Sequence, residues 1–394
     1  MSTESGGTFD FESVIDRGGT GSEKWDVAPG ELPMWVADMD FETAPAVREA
    51  IERRAAHGIY GYTMLPDAWA DAYIGWWESR HGLHIRPEWL IFCTGVIPAV
   101  SSVVRKLTTP AEKVVLMTPV YNIFFNSVLN NGRVPLECPL EYDTETMAYS
   151  VNFDRLEACL SDPQATLLIL CNPHNPVGKI WDRETLARIG SLCRAHGVTV
   201  LSDEIHCDLT APGRAYVPFA SVSDECRDIS VTCIAPTKAF NIAGLHTAAV
   251  MVSDEHLRNR VRRALNTDEV AEPNAFAVDA AIAAFTRGGG WLDALRGRIQ
   301  ENRERVEAFV REEIPEIRVV PSEATYLLWL DCSAVTEDSA AYAAAIRART
   351  GLYLSAGSVY RGNGAEFLRM NIACPPAVLE DGLSRLRRGV RGER

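Results

Sequence analysis

Short apolar runs that stop abruptly at a polar or turn-forming residue punctuate the chain. Glu88-Trp-Leu-Ile-Phe-Cys93, Lys113-Val-Val-Leu-Met117, Ala165-Thr-Leu-Leu-Ile-Leu-Cys171, Val198-Thr-Val-Leu-Ser202 and Val231-Thr-Cys-Ile-Ala235 all have strand length, and Thr, Asn, Asp or Pro follows each. Such runs read as buried strands. Segments of helical period lie between them. Thr43 is placed to cap a helix with Pro45 in its first turn, Val47, Ala50, Ile51 and Arg54 along one side, and Gly58 at its end. Trp69, Tyr73, Trp76 and Trp77 form an aromatic stripe on a helix from Asp67 to about Arg80, a core pattern. Pro98 suits the first turn of a helix over Ala99 to Leu107, and Asp182 caps one through Leu186, Ile189 and Leu192 to Gly197. Strand, turn, helix and strand in that order imply parallel pairing with a right-handed crossover.

Past about residue 285 the pattern changes. A long polar helix, Trp291 to Glu313, precedes strand pieces at Ile317 to Val320 and Thr325 to Leu330, a helix from about Asp338 to Thr350, and a last strand through Phe367 to Ile372. The expected architecture is α/β, with a mostly parallel sheet in a large domain and a smaller α+β domain closing on it. The boundaries fall at 1–45 for an N-terminal arm and part of the small domain, 46–285 for the large domain, and 286–394 for the small one.

The strand ends carry chemistry. Lys238 sits in Ala235-Pro-Thr-Lys-Ala-Phe-Asn-Ile-Ala-Gly-Leu245, just past a strand. Ligands in α/β folds bind at the carboxyl ends of strands. An amine there, among apolar neighbours, is partly desolvated, which lowers its pKa and frees its lone pair for carbonyl chemistry. A lone loop lysine is ordinarily a solvated one; three further stretches change that balance. Asn172-Pro-His-Asn-Pro-Val-Gly178 and Asp203-Glu-Ile-His206 follow two of the strands, and Arg369 lies inside the last one. Asn, Asp, Lys and Arg converge only if those strands are neighbours in one sheet. A buried Asp203 is costly unless paired, and a pyridinium N–H is a suitable partner. A lysine with an acidic partner for a pyridine nitrogen is how proteins hold pyridoxal phosphate.

With these residues in view, the chain resembles fold-type I pyridoxal-phosphate enzymes of the class I/II aminotransferase superfamily, from about Phe9 to about Arg388. Pro33-Met-Trp-Val-Ala-Asp-Met-Asp-Phe41, Asp203-Glu-Ile-His206 and Lys238-Ala-Phe-Asn-Ile-Ala-Gly-Leu245 further resemble the cystathionine β-lyase-like C–S lyases typified by MalY and PatB. The resemblance implies the aspartate aminotransferase-like fold, covalent attachment of pyridoxal 5′-phosphate through Lys238, and Asp203 at the ring nitrogen. Tyr121 stacks on the ring, Asn175 donates to its phenolate oxygen, and Gly95, Val96 and Ile97 lie under the phosphate. His206 stands where many aminotransferases have tyrosine; it is either a cofactor ligand or a hydrogen-bonded structural histidine. Arg369 grips the substrate carboxylate, with Asn175 and the Ala37 segment beside it. Tyr62, or else Tyr60, reaches from one subunit of a homodimer into the other's site.

Two departures stand out. Ala235 replaces a serine common three residues before the lysine, which leaves Thr237 as the candidate phosphate hydroxyl. Gly244-Leu245 is followed by His246-Thr-Ala-Ala249, without the phosphate-binding arginine that many aminotransferases place there. The implied reaction is β-elimination from L-cystathionine or related S-substituted L-cysteines, giving a thiol, pyruvate and ammonia. Transamination is the rival, since it shares the same residues. A cofactor-binding regulator acting through protein contacts is a third reading, and retention of Lys238, Asp203, Asn175 and Arg369 argues against it.

Composition sets outer bounds. The 394 residues carry 39 basic and 53 acidic side chains, a net charge of −14. No basic face compensates, which disfavours nucleic acid and anionic membranes as partners; Arg385 to Arg394 reads as a short solvated tail. The ten cysteines show no zinc-ligand spacing, the nearest pair being Cys226 and Cys233. Free thiols in strand-like runs suit a reducing cytoplasm. The N-terminus lacks the features of a signal peptide. A small-molecule amino acid is the expected substrate, and no metal is called for.

Overall fold

Alternation along the strands decides how this protein is layered. In the computed structural model, which describes residues 9–393, Ala165–Cys171 sends Leu167, Ile169 and Cys171 into one apolar cluster and Leu168 and Leu170 into another. Lys113–Leu116 splits the same way, with Val114 and Leu116 on one side and Val115 on the other. A period of two with both faces apolar yields a sheet covered on both sides. Each leucine withdrawn from water in this way contributes about 2 kcal/mol.

That sheet has seven strands in the spatial order Leu90–Cys93, Ala248–Met251, Ser230–Ile234, Thr199–Asp203, Ala165–Cys171, Lys113–Leu116 and Val134–Glu137. Only Ala248–Met251 runs antiparallel to its neighbours. The three central strands are in a telling register: Cys171 lies opposite Asp203, and Asp203 opposite Cys233. The turns that follow therefore leave the sheet side by side along one edge. Helix Val96–Leu107 packs on one face through Ala99, Val100, Val103 and Val104. The Trp-rich helix Asp67–His81 buries Trp69, Tyr73, Trp76 and Trp77, as its stripe predicts.

A second, wholly antiparallel sheet has the order Arg318–Val319, Leu327–Asp331, Phe367–Asn371, Ser355–Ala356. Arg369 is central in it, opposite Trp329 on one side and Ser355 on the other. The expectation that Arg369 shares a sheet with the Asn, Asp and Lys strands is therefore wrong; it meets them from the second sheet through a bond to Asn175. Leu32–Pro33 pairs in parallel with Leu352–Tyr353. The backbone N–H of Asn371 donates to the Met34 carbonyl (2.9 Å), and its side-chain amide donates to the carbonyls of Val36 and Asp38, both at 2.7 Å. These bonds fix the Trp35–Asp38 segment.

Two local expectations also need correction. Thr43 does not cap helix Pro45–His57: Ala44 is the N-cap, and the Thr43 hydroxyl donates instead to the Phe240 carbonyl (2.7 Å). A cap site and a tertiary hydrogen bond compete for one hydroxyl, and the tertiary bond wins here. The C-terminal basic run is not a solvated tail. Most of it belongs to helix Pro376–Val390, which buries Leu383, Leu386 and Gly389, while Arg385 donates to the carbonyls of Gly30 and Thr350. Leu379, Leu383 and Leu386 supply the helical period that the arginines obscure in the sequence. All ten cysteines are free thiols. No helix among the described residues is long and apolar enough to cross a membrane.

Candidate active site

The shared edge of the central strands forms one wall of a cavity of about 200 Å³. Lys238, Asp203, Asn175, Tyr121, His206, Thr237, Gly95, Val96, Ile97 and Ala37 all line it. The sequence reading draws these residues from six separate segments, and the fold brings them to one place. Tyr62 is not among them; its side chain is fully exposed on the segment after Gly58. Tyr60, the alternative, is turned back on its own segment, its hydroxyl donating to the Ala55 carbonyl at 2.6 Å.

Lys238 leaves the end of strand Ser230–Ile234 after Pro236, and its ammonium donates to the Ala37 carbonyl at 2.6 Å. Burial lowers its pKa, against the opposing pull of the Asp38 and Asp203 carboxylates. Asp203 ends its strand almost fully buried, and one of its oxygens accepts from the Ile205 N–H at 3.1 Å. Burial pushes its carboxyl up to about 7, only partly offset by that bond and by Lys238. A carboxylate so placed gains from an N–H cation set against it. His206 is buried, and burial together with Lys238 and Arg369 drives its pKa down to about 3, so the ring is neutral. Its Nδ1 has no partner.

Arg369 reaches in from the second sheet. Its guanidinium donates to Asn175 Oδ1 (3.1 Å) and to the Trp35 carbonyl (3.0 Å), stacks over Tyr360 at 4.8 Å, and leaves Nε unpartnered. Both bonds go to neutral oxygens, so a buried cation faces the cavity region without a counter-ion. Such a group is costly in isolation and well suited to an anionic ligand. The bond to Asn175 Oδ1 also sets the amide's orientation and leaves Nδ2 free to donate. The turn carrying Asn175 is tied to the one leading to Tyr121: the buried His174 donates through Nε2 to the Pro119 carbonyl at 2.8 Å. Burial lowers the His174 pKa to about 4, keeping it neutral in that role.

The front wall is a tethered loop. Asn371 holds it from the second sheet, and Asn241, three residues past Lys238, donates to the carbonyls of Met39 (3.2 Å) and Phe41 (2.8 Å). Behind it, Lys24 is buried in an ion pair with Asp40 at 2.7 Å, and Arg17 bridges Asp38 (2.7 Å) and Asp40 (3.1 Å). Sequence reasoning missed Lys24, Asn241 and Asn371, because polar residues that bond backbone carbonyls leave no periodic trace. It also missed His246 as a cavity residue.

A lysine, a buried aspartate and a tyrosine around one cavity, with a counter-ion-free arginine bonded to the lining residue Asn175, agree with the family-model comparison. The model for aminotransferase class I and II matches residues 32–386. The chain belongs to that family. Among curated members, cystathionine β-lyase PatB of Bacillus subtilis is 44% identical over 96% of this chain and 99% of its own. Protein MalY of Escherichia coli is 32% identical over 98% and 100%. Among solved structures, cystalysin of Treponema denticola, which contains a pyridoxal 5′-phosphate cofactor, superposes with a TM-score of 0.94 at 30% identity, covering 98% of this chain and 99% of its own.

The residues of this family member fit that cofactor. Asp203 would offer a buried acceptor for a pyridinium N–H, Asn175 Nδ2 a donor for a phenolate oxygen, and Tyr121 an aromatic face for the ring. The first amides of helix Val96–Leu107 have no intrahelical acceptor and can cradle a phosphate. Ala235, 1% exposed, confirms that no serine hydroxyl is offered there, while Thr237 lines the cavity.

Proposed function

We propose that the protein is a pyridoxal-phosphate-dependent C–S β-lyase acting on L-cystathionine or related S-substituted L-cysteines. The observation that carries the chemistry is the convergence of the Lys238 amine, the Asp203 carboxyl and Asn175 on one cavity, with Arg369 bonded to Asn175 from behind its lining. The likeness to cystathionine β-lyase PatB supports elimination as the outcome. Bound pyridoxal phosphate supplies the electron sink for negative charge developing at the substrate Cα. Lys238 takes the Cα proton, and burial, which lowers its pKa, favours the free amine that this task needs. Arg369 and Asn175 hold the α-carboxylate, so that the Cα–H bond faces the amine. The C–S electron pair leaves with sulfur as thiolate, and water releases pyruvate and ammonia.

Arg369→Ala is expected to raise KM for the amino acid by about tenfold to a hundredfold while changing cofactor affinity by less than threefold. Steady-state kinetics and cofactor titration on the same preparation read both; equal losses would reassign the arginine to the cofactor. Incubating the enzyme with cystathionine and no keto acid should yield pyruvate and free thiol in equal amounts. A strict requirement for a keto-acid acceptor would make the protein a transaminase.

The proposal includes a homodimer. Ile59, Tyr60, Tyr62, Met64 and Leu65 form an unusually exposed apolar stretch beside the helices. A second copy seated there would cover it and bring its Tyr62 to the phosphate end of the cavity.

A further inference from the structure

The phosphate end of the cavity is short of positive charge. A phosphate monoester carries nearly two negative charges at neutral pH. The groups placed to receive it are the amides of Gly95, Val96 and Ile97 and the hydroxyl of Thr237, all neutral. The helix start contributes the equivalent of about half a charge. Among the described residues no arginine lines the cavity, and Lys238 is its only lysine. Of its two histidines, His206 is buried and held neutral. The other is His246.

His246 is placed differently. It follows the turn Ala243–Leu245 and adopts the left-handed backbone conformation, φ 52°. That conformation costs a non-glycine residue about 1 kcal/mol or more, and it is imposed by bonds on either side. The Leu245 carbonyl accepts from Asn274 Nδ2 at 2.7 Å, and the His246 N–H donates to the Ala243 carbonyl at 3.3 Å. The result is an exposed imidazole, carried on a held backbone, that lines the same cavity as Thr94, Gly95 and Ala243. It is also the residue that follows Gly244-Leu245, where the sequence lacks an arginine.

Resting on the cofactor reading above, we propose that His246 is a phosphate ligand of the cofactor, supplying the N–H donor that Ala235 and the missing arginine do not. An imidazole can donate to a phosphate oxygen in either charge state and gains a charge-assisted bond when protonated. Its contribution belongs to the phosphate alone and is not felt by the ring.

The test uses that separation. The full-length enzyme, stripped of cofactor, is titrated with pyridoxal phosphate and, separately, with pyridoxal, which lacks the phosphate; bound aldehyde is read by absorbance and by protein fluorescence. His246→Ala is expected to raise the Kd for pyridoxal phosphate about tenfold or more and to leave the Kd for pyridoxal within twofold. His246→Arg should return the phosphate-bearing ligand to wild-type affinity or better. His246→Asn, which tolerates the left-handed backbone, should behave like the alanine variant and keep the wild-type melting temperature of the cofactor-free protein. An unchanged Kd for pyridoxal phosphate in both the alanine and asparagine variants, or equal losses for the two ligands, would overturn the assignment. Failure of the wild-type protein to bind either aldehyde would instead refute the cofactor reading itself.

Discussion

Replacing Lys238 with alanine should lower β-elimination by at least about a thousandfold and abolish the visible absorbance band of the lysine-bound cofactor. Two losses combine. A positioned general base contributes about 10²- to 10⁴-fold on its own, and covalent capture of the aldehyde is lost with the same atom. The fold should survive. The amine makes one hydrogen bond, to the Ala37 carbonyl, and the front wall retains its bonds to Asn241 and Asn371. The checks are single-turnover pyruvate release, an absorbance spectrum with added cofactor, and a melting curve. Retention of the band in the alanine variant would show that another amine takes the aldehyde, and the mechanism would have to be rebuilt around it.

Asp203→Asn should lower activity by about a hundredfold or more, while stabilising the cofactor-free protein at neutral and alkaline pH. The second effect follows from burial. The Asp203 carboxyl rises from 3.8 to about 7, so the cofactor-free folded state binds its proton more tightly than the unfolded chain does. For a group shifted in that direction, stability is highest below the unfolded value and is lost as pH rises through the folded one. The loss accumulates between about pH 4 and pH 7 and reaches about 4 kcal/mol. Buried Glu204, raised to about 8 chiefly by burial and in part by the Asp203 charge, is relieved of that part in the variant, which moves the comparison in the same direction. Denaturant melts of cofactor-free wild type and Asp203→Asn at pH 5 and pH 8 read the difference. The asparagine variant should gain on wild type as pH rises, and added cofactor should reverse the order. A difference independent of pH would mean that Asp203 is paired with a cation even without cofactor.

The layered fold was legible because its signals are local. Strands buried on both faces announce themselves as unbroken apolar runs, as at Leu167 to Leu170, and helices by the spacing of residues such as Trp69, Tyr73 and Trp76. Strand Ala248–Met251 escaped notice because a run of four mostly small residues after a turn carries little strand signal. The placement of Arg369 also lay beyond local reading: which sheet a strand joins is a property of pairing partners, here Trp329 and Ser355. The chemistry of the site was visible wherever an ionisable or amide side chain followed an apolar run. The supports behind it were not. Lys24, Asn241 and Asn371 act on backbone carbonyls in distant segments, and any polar residue in a loop would look the same in the sequence.

The bond from Asn371 to the Val36 carbonyl spans 335 positions of the chain. During synthesis, the ribosome must have delivered nearly the whole polypeptide before this second fastening can join the one that Asn241 makes. Nascent chains released short of residue 369 could contain every strand of the large sheet and the reactive amine, yet lack both the fastening and the carboxylate grip. Prematurely terminated products should therefore fold in part while binding amino acids poorly.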